Sequence, residues 1–131
     1  MKRKFTLKGK ILFQEVYNKG RRFSGTGVRI IVLKRGSLQL KNDLKTGTPP
    51  RNEPSDLKIG LAIGRKFGNA VKRNRAKRIL RSICDLYLSE MKRGCYFIIQ
   101  PNEDFKKLTY ETVKGIMKEL LEKAGIMQNG Y

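Results

Sequence analysis

The sequence predicts an α+β fold: a two-layer α/β sandwich with a small mixed sheet of about four strands and three helices. Two observations lead there. Apolar residues recur at helical spacing in three separate stretches, around positions 8–18, 70–87 and 109–124. Between them lie short β-branched runs, VRIIVL (Val28–Leu33), LKIGLAI (Leu57–Ile63) and CYFII (Cys95–Ile99), each bounded by turn-forming residues. The predicted order is α-β-β-(β)-α-β-α, with helices covering one side of the sheet. At 131 residues this is one domain, large enough for its own hydrophobic core.

Residues 1–6 read as a basic N-terminal arm. Lys8–Asn18 reads as the first helix, with Leu12, Phe13, Val16 and Tyr17 on one stripe and Gly20 as its stop. Phe13 and Tyr17 are four apart, so their rings lie over neighbouring turns. Periodicity leaves two readings open for them: core aromatics, or a stacking surface for unpaired bases, which present a π-face whatever their sequence. Phe23–Gly27 reads as a turn into the VRIIVL strand, which is apolar apart from Arg29. The stretch 34–56 carries Gly47, Pro49, Pro50 and Pro54 and reads as a long mobile loop, with room for a short strand extension around Leu38 and Leu40.

After LKIGLAI, Gly64 and Gly68 bracket Arg65, Lys66 and Phe67 in a turn, and Asn69 is placed to cap the helix that follows. That helix is the unusual part of the chain. Arg65–Arg81 (RKFGNAVKRNRAKRILR) holds eight basic residues and no acid, and no acid occurs anywhere from Leu57 to Cys84. At about 100° per residue, Ala76, Ile79, Leu80, Ile83, Leu86 and Tyr87 fall on one face. Arg73, Asn74, Lys77, Arg78 and Arg81 fall on the other.

A solvated helix normally interleaves signs, because i, i+4 pairs of opposite charge are mildly stabilising and like pairs cost a similar amount. Here nothing offsets the repulsion, and the cations crowd the helix start, where the macrodipole already favours acids. A helix that accepts both penalties is best read as a binding face for a polyanion.

CYFII reads as a strand buried on both faces, closed by Gln100 and Pro101. Glu103 and Asp104 follow as turn or cap residues. The last helix has Thr109 as N-cap, Leu108 and Val113 as a hydrophobic staple, and a stripe of Val113, Ile116, Met117, Leu120, Leu121 and Ala124 ending at Gly125. The strand–helix–strand unit around Arg65 to Ile99 leaves a parallel pairing of its strands open, which would put the basic face along one edge of the sheet layer.

The net charge of +19 and pI near 10.3 narrow the function. Such a chain repels itself and gains by meeting phosphates, whose condensed counterions it releases. Nucleic acid is favoured over a membrane, since no long apolar run or basic amphipathic anchor stands apart from the predicted core. The N-terminal cations are not followed by an apolar stretch, so no signal peptide is expected. Cys84 and Cys95 lack metal-type spacing and read as reduced cysteines of a cytoplasmic protein. The chain has no histidine, and its eleven acids are scattered. That removes the commonest general base, and no paired carboxylates fall on a predicted strand end or helix face. With no nucleophile elbow and no phosphate-cradling glycine motif either, no catalytic residue and no metal ligand is expected.

The run from Lys66 to Arg81 resembles the signature of the bacterial ribonuclease P protein subunit. The pattern K-x-G-x-A-V-x-R-N-x-x-K-R-x-x-R is met at every fixed position. The likeness extends in looser form to Phe13, Val16 and Gly20 in the first helix, and to LTYETVKGIMKELL in the last. Two departures stand out: the 34–56 loop is longer than in the family, and Ile31 is aliphatic where members often offer an aromatic.

The resemblance implies a protein cofactor of an RNA enzyme that removes the 5′ leader of precursor tRNA. In that role the catalytic RNA performs the hydrolysis with Mg²⁺, and the protein alone is inactive. Lys66, Arg73, Asn74, Arg75, Lys77, Arg78 and Arg81 would contact the catalytic RNA, and Arg65, just before the motif, is read as RNA-binding with them. Phe13 and Tyr17 would help line a cleft for the single-stranded leader. A left-handed crossover through the basic helix is also implied, contrary to the usual hand. The rival reading is a general RNA-binding or ribosomal-type protein, which would share the charge but stimulate no cleavage.

Overall fold

A computed structural model describes residues 7, 9–34, 57–92 and 94–127. The expected basic arm (1–6) and the loop expected at 34–56, apart from Lys34, lie outside these. The elements are α1 (Lys10–Lys19), β1 (Arg21–Gly25), β2 (Val28–Lys34), β3 (Leu57–Leu61), α2 (Ala70–Tyr87), β4 (Cys95–Pro101) and α3 (Tyr110–Lys123). Short 3-10 turns at Arg65–Phe67, Leu88–Glu90 and Glu103–Lys107 link them. The α+β class, the three helices and the four-stranded mixed sheet are as expected.

The sheet runs β1-β2-β4-β3. β1–β2 and β2–β4 are antiparallel, while β3 and β4, joined through α2, pair in parallel. The expected turn at Phe23–Gly27 is mostly strand: β1 runs to Gly25, and Thr26 and Gly27 alone make the hairpin, Gly27 supplying the positive φ of 78°. RRFSG carries one large apolar residue, so this edge strand has no alternation to announce it.

The layering also differs from a sheet covered on one side. Alternate residues of the central strands feed two separate cores. Ile30, Val32, Phe97 and Ile99 pack with α2 and α3, whereas Ile31, Leu33, Tyr96 and Ile98 pack with Leu7 and Val16 beneath α1. The helices therefore flank the sheet on both faces. Continuous burial of VRIIVL and CYFII requires this, since strands with one wetted face would alternate.

α2 begins as expected, the Asn69 side chain accepting from the Lys72 N–H at 3.0 Å. Its core face comprises Ala76, Leu80, Ile83, Cys84 and Tyr87. Leu86, expected there, is 50% exposed, because the buried arc is rotated towards Cys84. α3 is capped by Thr109, whose hydroxyl accepts from the Thr112 N–H, and stops at Gly125. Ser82 and Tyr110 hydroxyls meet at 3.0 Å, and the Tyr87 hydroxyl donates to the Lys114 carbonyl, so α2 and α3 are tied side by side.

Both cysteines are free and buried. Burial pushes the Cys84 thiol up to about 12, with a smaller contribution from the Asp85 carboxylate. The unfolded chain loses this proton near 8.5, so between there and about 12 it binds fewer protons than the native state. Stability therefore falls as pH rises through that window. Urea midpoints at neutral and alkaline pH should show a larger alkaline loss for the natural chain than for Cys84→Ala. At neutral pH the thiol should resist alkylation in the folded protein.

Candidate nucleic-acid interface

The basic helix is held by its apolar face, which leaves the remaining arc to water. Asn74, Arg75, Arg78 and Arg81 are exposed, Arg73 and Lys77 half-buried. Arg65 and Lys66 are exposed on the 3-10 turn just before the helix, because Phe67 anchors that turn in the core. Arg73, Lys77 and Arg81, spaced four apart, climb from beside the core into solvent. Arg73 has its Nε buried with no hydrogen-bond partner among the described residues. A donor in that state is costly unless something accepts from it.

Charge is segregated. Ion pairs join Lys19 to Glu15, Lys106 to Glu103, Lys114 to Glu111 and Lys123 to Glu119, at 2.9–3.7 Å. None of the described ion pairs involves a basic residue of the Arg65–Arg81 run. α3 thus neutralises itself along its length, and α2, packed beside it, has no acid in its first turn.

Not every expected contact lies on one surface. Arg73 and Arg75 are two residues apart, hence roughly 200° around the helix, and leave on opposite flanks. Arg75 lines a pocket with Lys72, Phe67, Phe105, Ala76 and Lys106. Sequence reading had no means of pairing Phe67 with Phe105, whose rings meet at 6.0 Å across two 3-10 turns far apart in the chain.

Phe13 and Tyr17 sit on the other side of the sheet. Both are half-buried and pack against the Ile31, Tyr96 and Ile98 cluster. Gly60 lets Phe13 close on the sheet: a Cβ there would stand 2.6 Å from its ring. The rings belong partly to the core and partly to a seam between α1 and the sheet. Beyond that seam the same face carries a cross-strand row of Ser24, Arg29, Gln100 and Ala62, none of it buried. Arg29 Nε donates to Gln100 Oε1 at 3.2 Å, which pins the guanidinium over the sheet.

Among the described residues, no group of three histidine, cysteine, aspartate or glutamate side chains gathers as a metal site. No helix among them is long and apolar enough to cross a membrane.

A family model described as Ribonuclease P matches residues 1–125. A Ribonuclease P protein component from Symbiobacterium thermophilum is 33% identical over 128 residues, spanning 98% of this chain and 97% of its own. One from Finegoldia magna is 33% identical over 94 residues, spanning 72% of this chain and 81% of its own. In fold, the chain is similar to the Staphylococcus aureus RNase P protein, with a TM-score of 0.74 at 19% identity, covering 94% of this chain and 97% of that one. It is also similar to the RNase P protein from Thermotoga maritima, with a TM-score of 0.70 at 20% identity, covering 90% and 96%.

Proposed function

Since the chain belongs to the ribonuclease P family as its protein component, and so acts in tRNA 5′ processing, we propose how it divides that work between two faces. The basic face of α2, with Arg65 and Lys66 before it, binds the catalytic RNA. The seam between α1 and the sheet, with Phe13 and Tyr17, receives the single-stranded 5′ leader of precursor tRNA. The observation that carries this is the largely exposed basic run on α2, which makes no ion pair among the described residues while α1 and α3 pair their charges.

The chemistry suits a cofactor. Catalyst and substrate are both polyanions, and a compact charge of +19 lowers their mutual repulsion. Arginine forks fit phosphate oxygens in pairs, and Asn74 adds a short-range donor and acceptor. The chain has no histidine, and among the described residues no acid cluster gathers to hold a metal. Hydrolysis, with its Mg²⁺, is assigned to the RNA, and the protein contributes binding and orientation.

The test is cleavage of a precursor tRNA at low Mg²⁺ by a bacterial ribonuclease P RNA, with and without the protein. Cleavage at the mature 5′ end when both are present, with none from protein alone, supports the reading. Tight binding to many RNAs without stimulation would replace it with general RNA binding.

Phe13→Ala separates the two faces. It should weaken precursor tRNA about tenfold while leaving mature tRNA and catalytic-RNA binding nearly unchanged, as one base–aromatic stack is worth about 1–3 kcal/mol. Equal losses for both tRNAs, with a large fall in thermal stability, would mark the ring as core only.

A further inference from the structure

The pocket on the Arg75 flank of α2 is not needed for either surface above. It encloses about 370 Å³, within the roughly 300–1,000 Å³ of small-ligand sites. Its floor is Phe67, Phe105 and Ala76, and its rim is Lys72, Arg75 and Lys106. Lys106 Nζ lies 5.1 Å from the Phe67 ring centroid. Lys72 and Lys106 converge: a side chain at position 68 would meet Lys72 Cδ at 3.0 Å and Lys106 Cε at 3.7 Å. Three cations thus gather around an aromatic floor, and among the described residues the acid paired to them is Glu103, 72% exposed against 27% for Lys106. A carboxylate that open to water holds its partner weakly, which leaves the Lys106 ammonium available to pair with a ligand phosphate beside the ring.

An apolar slot with an aromatic wall and several cations at its mouth suits a flat ring bearing phosphates. We propose that this pocket takes one unpaired nucleotide of an RNA held on α2. The base enters against Phe67 and Ala76, and the flanking phosphates lie on Lys72, Arg75 and Lys106. The nucleotide must be unpaired, because a duplex offers its phosphates but keeps its bases stacked. The pocket is continuous with the basic face through Arg75, which lies one helical turn from Arg78, so a strand crossing that face reaches it without a break. The assignment of the ligand to RNA rests on the function proposed above.

The full chain is titrated with a short single-stranded RNA and with an abasic strand of equal phosphate number, following the Phe67 and Phe105 ring resonances by NMR. The base-bearing strand should shift both rings and bind about tenfold more tightly than the abasic one. Replacing both lysines (Lys72→Ala with Lys106→Ala) should weaken that strand and diminish the ring shifts. Unmoved rings, including the case where the strand binds only at the Phe13 seam, would overturn the pocket. Equal shifts from a free mononucleotide at similar affinity would reassign it to a small anionic ligand and overturn the RNA reading. The cleavage assay reads the other premise separately. Stimulated cleavage with unmoved rings removes the pocket alone, and moved rings without stimulation remove the ribonuclease P role alone.

Discussion

Replacing Arg73, Arg78 and Arg81 together by alanine should reduce affinity for the catalytic RNA by about a hundredfold or more at low salt. Each guanidinium offers charge-assisted hydrogen bonds of about 1.5–3 kcal/mol to a phosphate. Each also displaces condensed counterions, so the slope of log affinity against log salt should flatten by roughly one unit per residue. Curves for the natural and triple-variant proteins should converge as salt rises. Filter binding over a salt series checks both numbers. An unaltered slope would show that α2 does not face phosphates. Stability should hardly change, since Arg78 and Arg81 are exposed, half-buried Arg73 has an Nε with no partner among the described residues, and removing like charges relieves repulsion along the helix.

The second large effect is expected on the opposite face of the sheet. Gly60→Val puts a branched side chain where a single Cβ already stands 2.6 Å from the Phe13 ring and 3.2 Å from Leu7. Overpacking of this kind costs roughly 1–3 kcal/mol. The ring is half-buried, so it can swing outward and lift the seam from the sheet. Precursor tRNA should then lose affinity at least as severely as with Phe13→Ala, while catalytic-RNA binding through α2 persists. Denaturant midpoints and paired binding assays would test it. Equal loss at both surfaces would mean that the two faces do not act independently.

The two predictions rest on features that were unequally legible in the sequence. The basic face was legible because its signal is local: a charge run, an apolar stripe and the Asn69 cap fall within one helix, and local periodicity decides which side is buried. Cys84, whose burial rotates that arc, and Leu86, which the rotation exposes, were beyond it. The two lie on opposite edges of the apolar stripe, and periodicity alone does not say which edge the neighbouring layer covers. β1 was missed because RRFSG is an exposed edge whose pairing comes from β2 rather than from its own residues. The placement of α1 was harder, since a helical stripe shows that a face is buried and not against which side of a sheet. The continuous apolar run of CYFII pointed to cover on both its faces, and the expectation of helices on one side did not follow that through. The Phe67–Phe105 pocket was invisible, because its walls are brought together only by the turn before α2 and the turn after β4.

The segregation of charge between α2 and α3 has a kinetic consequence. Two adjacent helices, one carrying alternating signs and the other nearly all positive, give the molecule a lopsided electric field. A polyanion diffusing nearby experiences a torque as well as an attraction, and it is turned towards α2 before contact. Encounter rates limited by orientation rise when a field pre-aligns the partners, and that gain fades with ionic strength. The self-paired α3 therefore acts as a blind side: by attracting little, it reduces the number of collisions that begin in the wrong orientation.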